Sequence, residues 1–296
     1  MSALNKANTS GKQFEYHPPF RIGRILRRVL IYSAVTFGAL LCLFPFYWMF
    51  VVATRPSGEV FSFPPMVVPG PLLMQNIQNL LKMVPFVRSY GNTLFYALSV
   101  TTLILFFDSL AGFAFAKYTF PGQNFLFGFL LATMMIPGAV MIIPWFVEMK
   151  FFGWLDSYKA LIIPSAVDAF GIFWMRQFIM DAVPSELIDA ARIDGAHDFA
   201  IYYRIVVPII TPALGALAIL VFMGCWNNLI SPMIILSTPE KFPLTVTLKT
   251  MVGLRLSDYG ALMSGTLLSV LPIIVVFLMG ARRFISGITA GSIQGM

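Results

Sequence analysis

The chain has 296 residues, of which 58% are hydrophobic and only 11% charged, with a net charge of +7 at neutral pH and a mean hydropathy of +0.81. Its 20 basic and 13 acidic side chains are too few to cover a water-soluble domain of this size, so the composition excludes one and requires an integral membrane protein. With His17 and His197 as the only histidines, and Cys42 and Cys225 inside apolar runs, neither a histidine metal cluster nor a disulfide is suggested.

Residues 1–20 are polar and aperiodic and read as a tail. Residues 21–28, "RIGRILRR", read as a basic juxtamembrane segment that meets anionic headgroups. Together, 1–28 form a cytoplasmic N-terminal region. A membrane domain over 29–283 follows, and 284–296 form a cytoplasmic C-terminal tail. Apolar windows long enough to cross a bilayer core of about 30 Å predict six helices. They lie near 29–53, 92–116, 125–147, 160–180, 209–236 and 259–281. The runs are continuous rather than alternating, which favours helices over barrel strands. The second window holds Asp108, the third Pro137 and Pro144, and the fourth Asp168 and Arg176.

Orientation follows from the Lys and Arg bias. Lys6, Lys12, Arg21, Arg24, Arg27 and Arg28 precede the first window, and Arg282 and Arg283 follow the last. Both termini are therefore expected in the cytoplasm. This places 12 of the 20 basic residues inside and 8 outside, so the positive charge is a topological bias and nucleic acid is not its partner. The outer side is expected to carry a net +3, which leaves the charge of any cargo open.

Between the fourth and fifth windows lies a polar inner link, 181–208. Five of the 13 acids fall here: Asp181, Glu186, Asp189, Asp194 and Asp198. "PSELIDAARIDG" predicts a short helix with Ser185 as cap, Glu186 and Asp189 near its positive end, and Leu187, Ala190 and Ala191 on an apolar face. Asp194-Gly195 ends that helix, because glycine takes the left-handed conformation that closes one. A second short helix over 197–206 leads to Pro208. A helix pair lying on headgroups is one reading. Such helices favour basic polar faces, however, and this one is acidic, which suits a soluble protein partner better.

The residues Asp189-Ala190-Ala191, Asp194-Gly195-Ala196 and Ile205-Val206-Val207-Pro208 resemble the EAA loop of permease subunits of binding-protein-dependent ABC importers, with aspartate in place of the first glutamate. Further segments are similar to the carbohydrate-uptake branch and its maltose-G-type subunits. These are "TFPGQNFLF", Ile143-Pro144, "MRQF", Trp226-Asn227 and the ending "GITAGSIQG", so the similarity covers nearly the whole chain. The resemblance implies the six-helix architecture of a type I importer permease in a bacterial or archaeal cytoplasmic membrane. It implies a carbohydrate cargo, an oligosaccharide or disaccharide, brought by an extracytoplasmic solute-binding protein. It also implies a second, related permease chain and two cytoplasmic ATP-binding subunits. ATP would be bound by those subunits, so the chain itself is expected to hold no cofactor and to catalyse no reaction. Glu186, Asp189, Ala190, Ala191, Asp194, Gly195, Ile205 and Pro208 would form the ATPase-coupling site.

Polar groups inside spans are functional candidates because burying them in lipid is costly. Asp168, Trp226, Asn227 and Asn228 could supply hydrogen bonds and a flat apolar face to a sugar. Asparagines that merely join helices are the competing explanation, and packing between helices is favoured for Asp108. A secondary transporter or channel would show internal symmetry or an intramembrane relay of acids and bases, and a membrane enzyme would show a catalytic constellation. None of these is evident in the sequence.

Overall fold

The computed structural model describes residues 22–252 and 258–292, with side chains over 26–252 and 258–278. The N-terminal tail, the side chains of Arg282 and Arg283, and, in "GITAGSIQG", all side chains and the last three residues lie outside what is described. Among the described residues the regular secondary structure is all helix. In chain order the helices are α1 (Ile22–Ala53), α2 (Leu73–Met83), α3 (Phe86–Lys117), α4 (Gln123–Thr133), α5 (Gly138–Phe151), α6 (Lys159–Ile162) and α7 (Ala169–Ala182). They are followed by α8 (Ser185–Ile193), α9 (Asp198–Ile201), α10 (Val207–Trp226), α11 (Ile230–Ile235), α12 (Leu244–Met251) and α13 (Tyr259–Ser292).

Each of the six predicted windows falls on helix, but not always on one helix. Four segments are unbroken and apolar enough to cross a membrane: Leu26–Ala53, Phe86–Lys117, Asp198–Trp226 and Tyr259–Leu278. The third window is split into α4 and α5, which meet at 101°. The break is "MMIP", where Pro137 is extended (φ −61°, ψ 125°) and disfavours helix at the residue before it. The fourth window is also split. Only α6, a 3-10 turn at Pro164–Ala166 and the 14-residue α7 occupy it. Pro164 opens the turn, Val167 and Asp168 are extended, and Asp168 starts α7 afresh. At about 1.5 Å per residue, α7 alone is roughly 21 Å long, short of the apolar thickness.

The chain divides into two compact units, 1–47 and 48–296. The described part of the first is helix with exposed apolar flanks: Leu30, Val35, Phe37 and Leu40 are each about 60% exposed or more. In the second unit, α3, α7 and α10 enclose the larger core around Val100, Met175, Ile179, Ile210 and Leu217. A smaller core joins α2, α10, α12 and α13 around Leu80, Phe222, Trp226 and Leu244.

Helix association in lipid relies on close packing, which small residues permit. Two glycines bring α3 and α7 together. A methyl group at Gly112 would lie 2.8 Å from Met175 Cβ, and one at Gly171 would collide with the Asp108 carboxylate.

Candidate functional site

The 181–208 link folds as predicted in outline and differs in detail. Its first helix, α8, has Pro184 as N-cap, so Ser185 is the first helical residue and caps nothing. Ser185 Oγ instead accepts a long hydrogen bond (3.5 Å) from Lys117 Nζ at the end of α3. The helix closes on Gly195 with φ +79°. The Ala196 N–H donates to Ala191 O at 2.9 Å and the Gly195 N–H to Arg192 O at 3.0 Å. These nested bonds define a Schellman turn, which requires the left-handed conformation that glycine adopts without strain.

The apolar face that α8 buries shares only Ala191 with the expected one. Ile188 and Ala191, three residues apart, pack into the core, while Leu187 and Ala190 are exposed. Both faces satisfy helical spacing, so pattern alone could not choose between them. The outward surface therefore carries Leu187, Ala190, Ile193 and Phe199 beside Glu186, Asp189 and Asp194; Ile193 is 87% exposed. Arg192 braces the turn from within the segment, 3.7 Å from both Asp189 Oδ1 and Asp198 Oδ1 and 5.0 Å above the ring of Tyr118.

The second helix does not stop before the span. His197 Nδ1 caps α9 by accepting from the Ala200 N–H at 3.2 Å. A π-helical turn, Tyr202–Val206, then joins α9 to α10, so Asp198–Trp226 is one helical rod. Pro208 lacks an N–H, and the wider turn just before it takes up the mismatch, with the Val207 N–H reaching back to Tyr202 O. Ile205 is partly buried beneath this turn and Pro208 is exposed. Tyr202 ties the turn to α3 through a buried 2.7 Å hydrogen bond with Ser109.

The substrate-pathway candidates separate. Asp168 and Asn228 line the same groove of about 500 Å³, with Tyr96, Ser165, Phe170 and Cys225 among its other walls. Trp226 does not reach it. That residue is 2% exposed, stacks on Phe222 and donates its indole N–H to Ser269 O of α13 at 3.1 Å. Asn227 points elsewhere and donates to Met223 O at 2.9 Å. Trp226 is the last residue of α10, and Asn227 and Asn228 lie in the break before α11 that also splits the fifth predicted window, so the three side chains leave the chain in different directions and only Asn228 lines the groove. Asn228 is held there by donating to Tyr96 Oη at 3.2 Å and accepting from the Ser231 N–H at 3.3 Å.

Asp168 sits at the break in the fourth window as the N-cap of α7, with Oδ2 accepting from the Gly171 N–H at 3.1 Å. Asp108, fully buried on α3, accepts from the Asp168 N–H at 3.1 Å. Its other oxygen rests against Gly171 with no hydrogen-bond partner among the described residues. Two acids sixty positions apart thus share one helix start. Sequence reasoning treated them separately and missed Gly171 and Phe170 altogether. The one available signal was that both acids lie inside apolar windows.

Outside the membrane-spanning segments, Asp156 pins two loops together. Its carboxylate accepts from Lys241 Nζ at 2.8 Å, from Thr238 Oγ1 at 2.6 Å and from the Ser237 and Thr238 N–H groups at 3.0 Å each. The Lys241 ammonium and these hydrogen bonds hold it well below the usual carboxylate range.

The family described as "Binding-protein-dependent transport system inner membrane component" matches residues 108–288. The arabinooligosaccharides transport system permease protein AraQ of Bacillus subtilis (strain 168) is 34% identical, covering 87% of this chain and 92% of its own. The lactose transport system permease protein LacG of Rhizobium radiobacter is 32% identical over 92% and 98%, respectively. The sn-glycerol-3-phosphate transport system permease protein UgpE of Escherichia coli O1:K1 / APEC is 31% identical over 88% and 95%. A chain from the crystal structure of a bacterial ABC transporter involved in the import of the acidic polysaccharide alginate shares the fold, with a TM-score of 0.81 over 90% of this chain at 24% identity.

Proposed function

We propose, from the premise that the chain belongs to the family of inner membrane components of binding-protein-dependent transport systems, that it forms one half of the pathway of an ATP-driven carbohydrate importer. It is a membrane permease and not itself an enzyme. Curated relatives are named for arabinooligosaccharides, lactose and sn-glycerol-3-phosphate, and we assign this chain a saccharide of similar size. A solute-binding protein delivers the cargo from outside, a second related permease completes the pathway, and two ATP-binding subunits on the cytoplasmic side supply the work. Both termini and the 181–208 segment face those subunits.

The observation that carries this reading is the continuity of the helical rod Asp198–Trp226. At its inner end stands α8 with its Schellman turn, presenting Leu187, Ala190, Ile193 and Phe199 ringed by acids. At its outer end the same rod carries Leu217, Leu220 and Cys225 into the wall of the groove. An ATPase that grips α8 would therefore move the groove wall as a rigid body rather than bending a loop.

Within this scheme Glu186, Asp189, Ala190, Asp194 and Gly195 form the gripped surface, while Ala191, Ile205 and Pro208 set the angle of the rod. Purification of the chain after co-expression with its genetic neighbours tests the assignment. An ATPase subunit should accompany it, and ATP hydrolysis should drive saccharide uptake into proteoliposomes. A membrane complex that purifies intact without any ATPase would end this reading.

A further inference from the structure

The relatives leave the charge of the cargo undecided, because saccharide, lactose and glycerol phosphate chemistries all occur among them. The groove speaks to it directly. Resting on the carbohydrate reading above, we infer that this permease passes neutral saccharides and rejects acidic ones, and that Asp168 is the residue that discriminates.

The start of a helix as long as α7 is ordinarily a favourable place for an anion, since its unpaired N–H groups and dipole attract negative charge. Here that place is already filled from within the chain. The Asp168 N–H is taken by Asp108 Oδ1, and the Gly171 N–H by Asp168 Oδ2. One carboxylate, that of Asp168, therefore stands in the groove wall where a uronate or a phosphate would otherwise bind, and the buried Asp108 holds the backbone behind it. Among the groove's lining residues none is Lys, Arg or His, so nothing on this side offsets it. An acidic cargo would have to leave water and approach like charge, which is unfavourable on both counts.

The same atoms suit a hydroxyl-rich ligand. No hydrogen bond reaches Asp168 Oδ1 among the described residues, so it is free to accept from a sugar hydroxyl. Phe170, two positions on and 39% exposed, offers an aromatic surface in the same groove for the C–H face of a pyranose or furanose ring. A charge-assisted hydrogen bond beside an aromatic face is a combination that recognises neutral sugars.

The test uses the complete transporter, both permeases with the ATPase and binding protein, in proteoliposomes. Stimulated ATP hydrolysis is read against lactose, arabinotriose, maltotriose, trigalacturonate and glycerol-2-phosphoryl-glycerol. We expect every stimulating compound to be neutral. In Asp168→Asn the amide oxygen still caps α7, so folding is retained while the charge is lost. We expect KM for the neutral sugar to rise roughly tenfold, the loss of about one charge-assisted hydrogen bond. Asp168→Ser, which also caps, should raise KM at least as much. Stimulation of the wild type by trigalacturonate or the phosphodiester overturns the inference, as does a KM within twofold of wild type in both variants. If no saccharide of either charge stimulates a complex that retains its ATPase, the carbohydrate reading itself has failed, a result plainly different from either of these.

Discussion

The 181–208 segment and the groove are built on opposite plans. The bonds that close the segment's turn and start its second helix join residues fewer than six apart: His197 to Ala200, Gly195 to Arg192, Ala196 to Ala191. The groove is assembled from residues far apart in the chain: Asp108 meets Asp168 across 60 positions and Tyr96 meets Asn228 across 132. A locally determined element can be presented at a surface and gripped without disturbing the rest. A site assembled from distant spans changes shape when those spans shift, which is what a gated pathway needs. The two are joined by α7, which is capped by Asp168 and ends at Ala182, two positions before Pro184 and α8, and by the rod that includes α10.

This contrast also explains what was readable in advance. The helix at 185–193, its glycine stop and its acidic character follow from neighbours in sequence, so they were legible. The choice between Ile188 and Leu187 as the buried residue was not, because both lie on helical spacings and only the packing partner decides. Asp168 was placed inside a continuous span, since apolar composition outweighed a single proline. In the structure Pro164 and an extended Val167 break that span, and the acid becomes a cap. Trp226 and Asn227 are grouped with Asn228 by adjacency, but the helix ends at Trp226 and the chain turns through the two asparagines before α11. Only contacts across the chain show that Trp226 belongs to Ser269.

The difference between the two plans can be broken first at Gly195, where the expected effect is largest. Its φ of +79° lies in a region closed to proline, whose ring fixes φ near −65°. Gly195→Pro should abolish the Schellman turn and with it ATP-driven uptake, by more than about tenfold, while the spans and the groove persist. Membrane level and ATPase co-purification of the variant separate docking from folding. Full uptake by Gly195→Pro would show that the segment's shape is not what the ATPase grips.

The reverse damage is expected at Gly171. A methyl group there meets the Asp108 carboxylate at a fully buried position, and α3 and α7 must part to admit it. Overpacking of this kind costs about 1–3 kcal/mol. Gly171→Ala should lower the thermal midpoint of the complex and weaken saccharide-stimulated hydrolysis, yet leave ATPase binding intact because α8 is held by its own turn. Tryptophan fluorescence on heating reads the first and co-purification the second. Loss of the ATPase in Gly171→Ala would mean that the two regions are not separable as described.

The smallest effect is expected at Asp156, which ties together two loops behind the groove. Tyr158, two residues on, packs its ring 6.3 Å from that of Tyr96 and donates to Lys241 O at 2.8 Å, so the Asp156–Lys241 pair steadies a groove wall from behind. Both partners are partly exposed, and such pairs are worth about 0.2–1 kcal/mol. Folding lowers the pKa of this carboxylate, so its contribution is fully present above the unfolded value of about 3.9 and is lost as pH falls below it. Asp156→Asn should therefore unfold at a slightly lower temperature than the wild type at neutral pH, and the gap should narrow as pH is taken down through about 4. Because the bonds from Thr238 and the loop N–H groups can pass in part to an asparagine oxygen, the gap at neutral pH isolates the charge. A gap that widens on acidification would mean that Asp156 is held protonated, and the brace would then have to be rebuilt from Tyr158 alone.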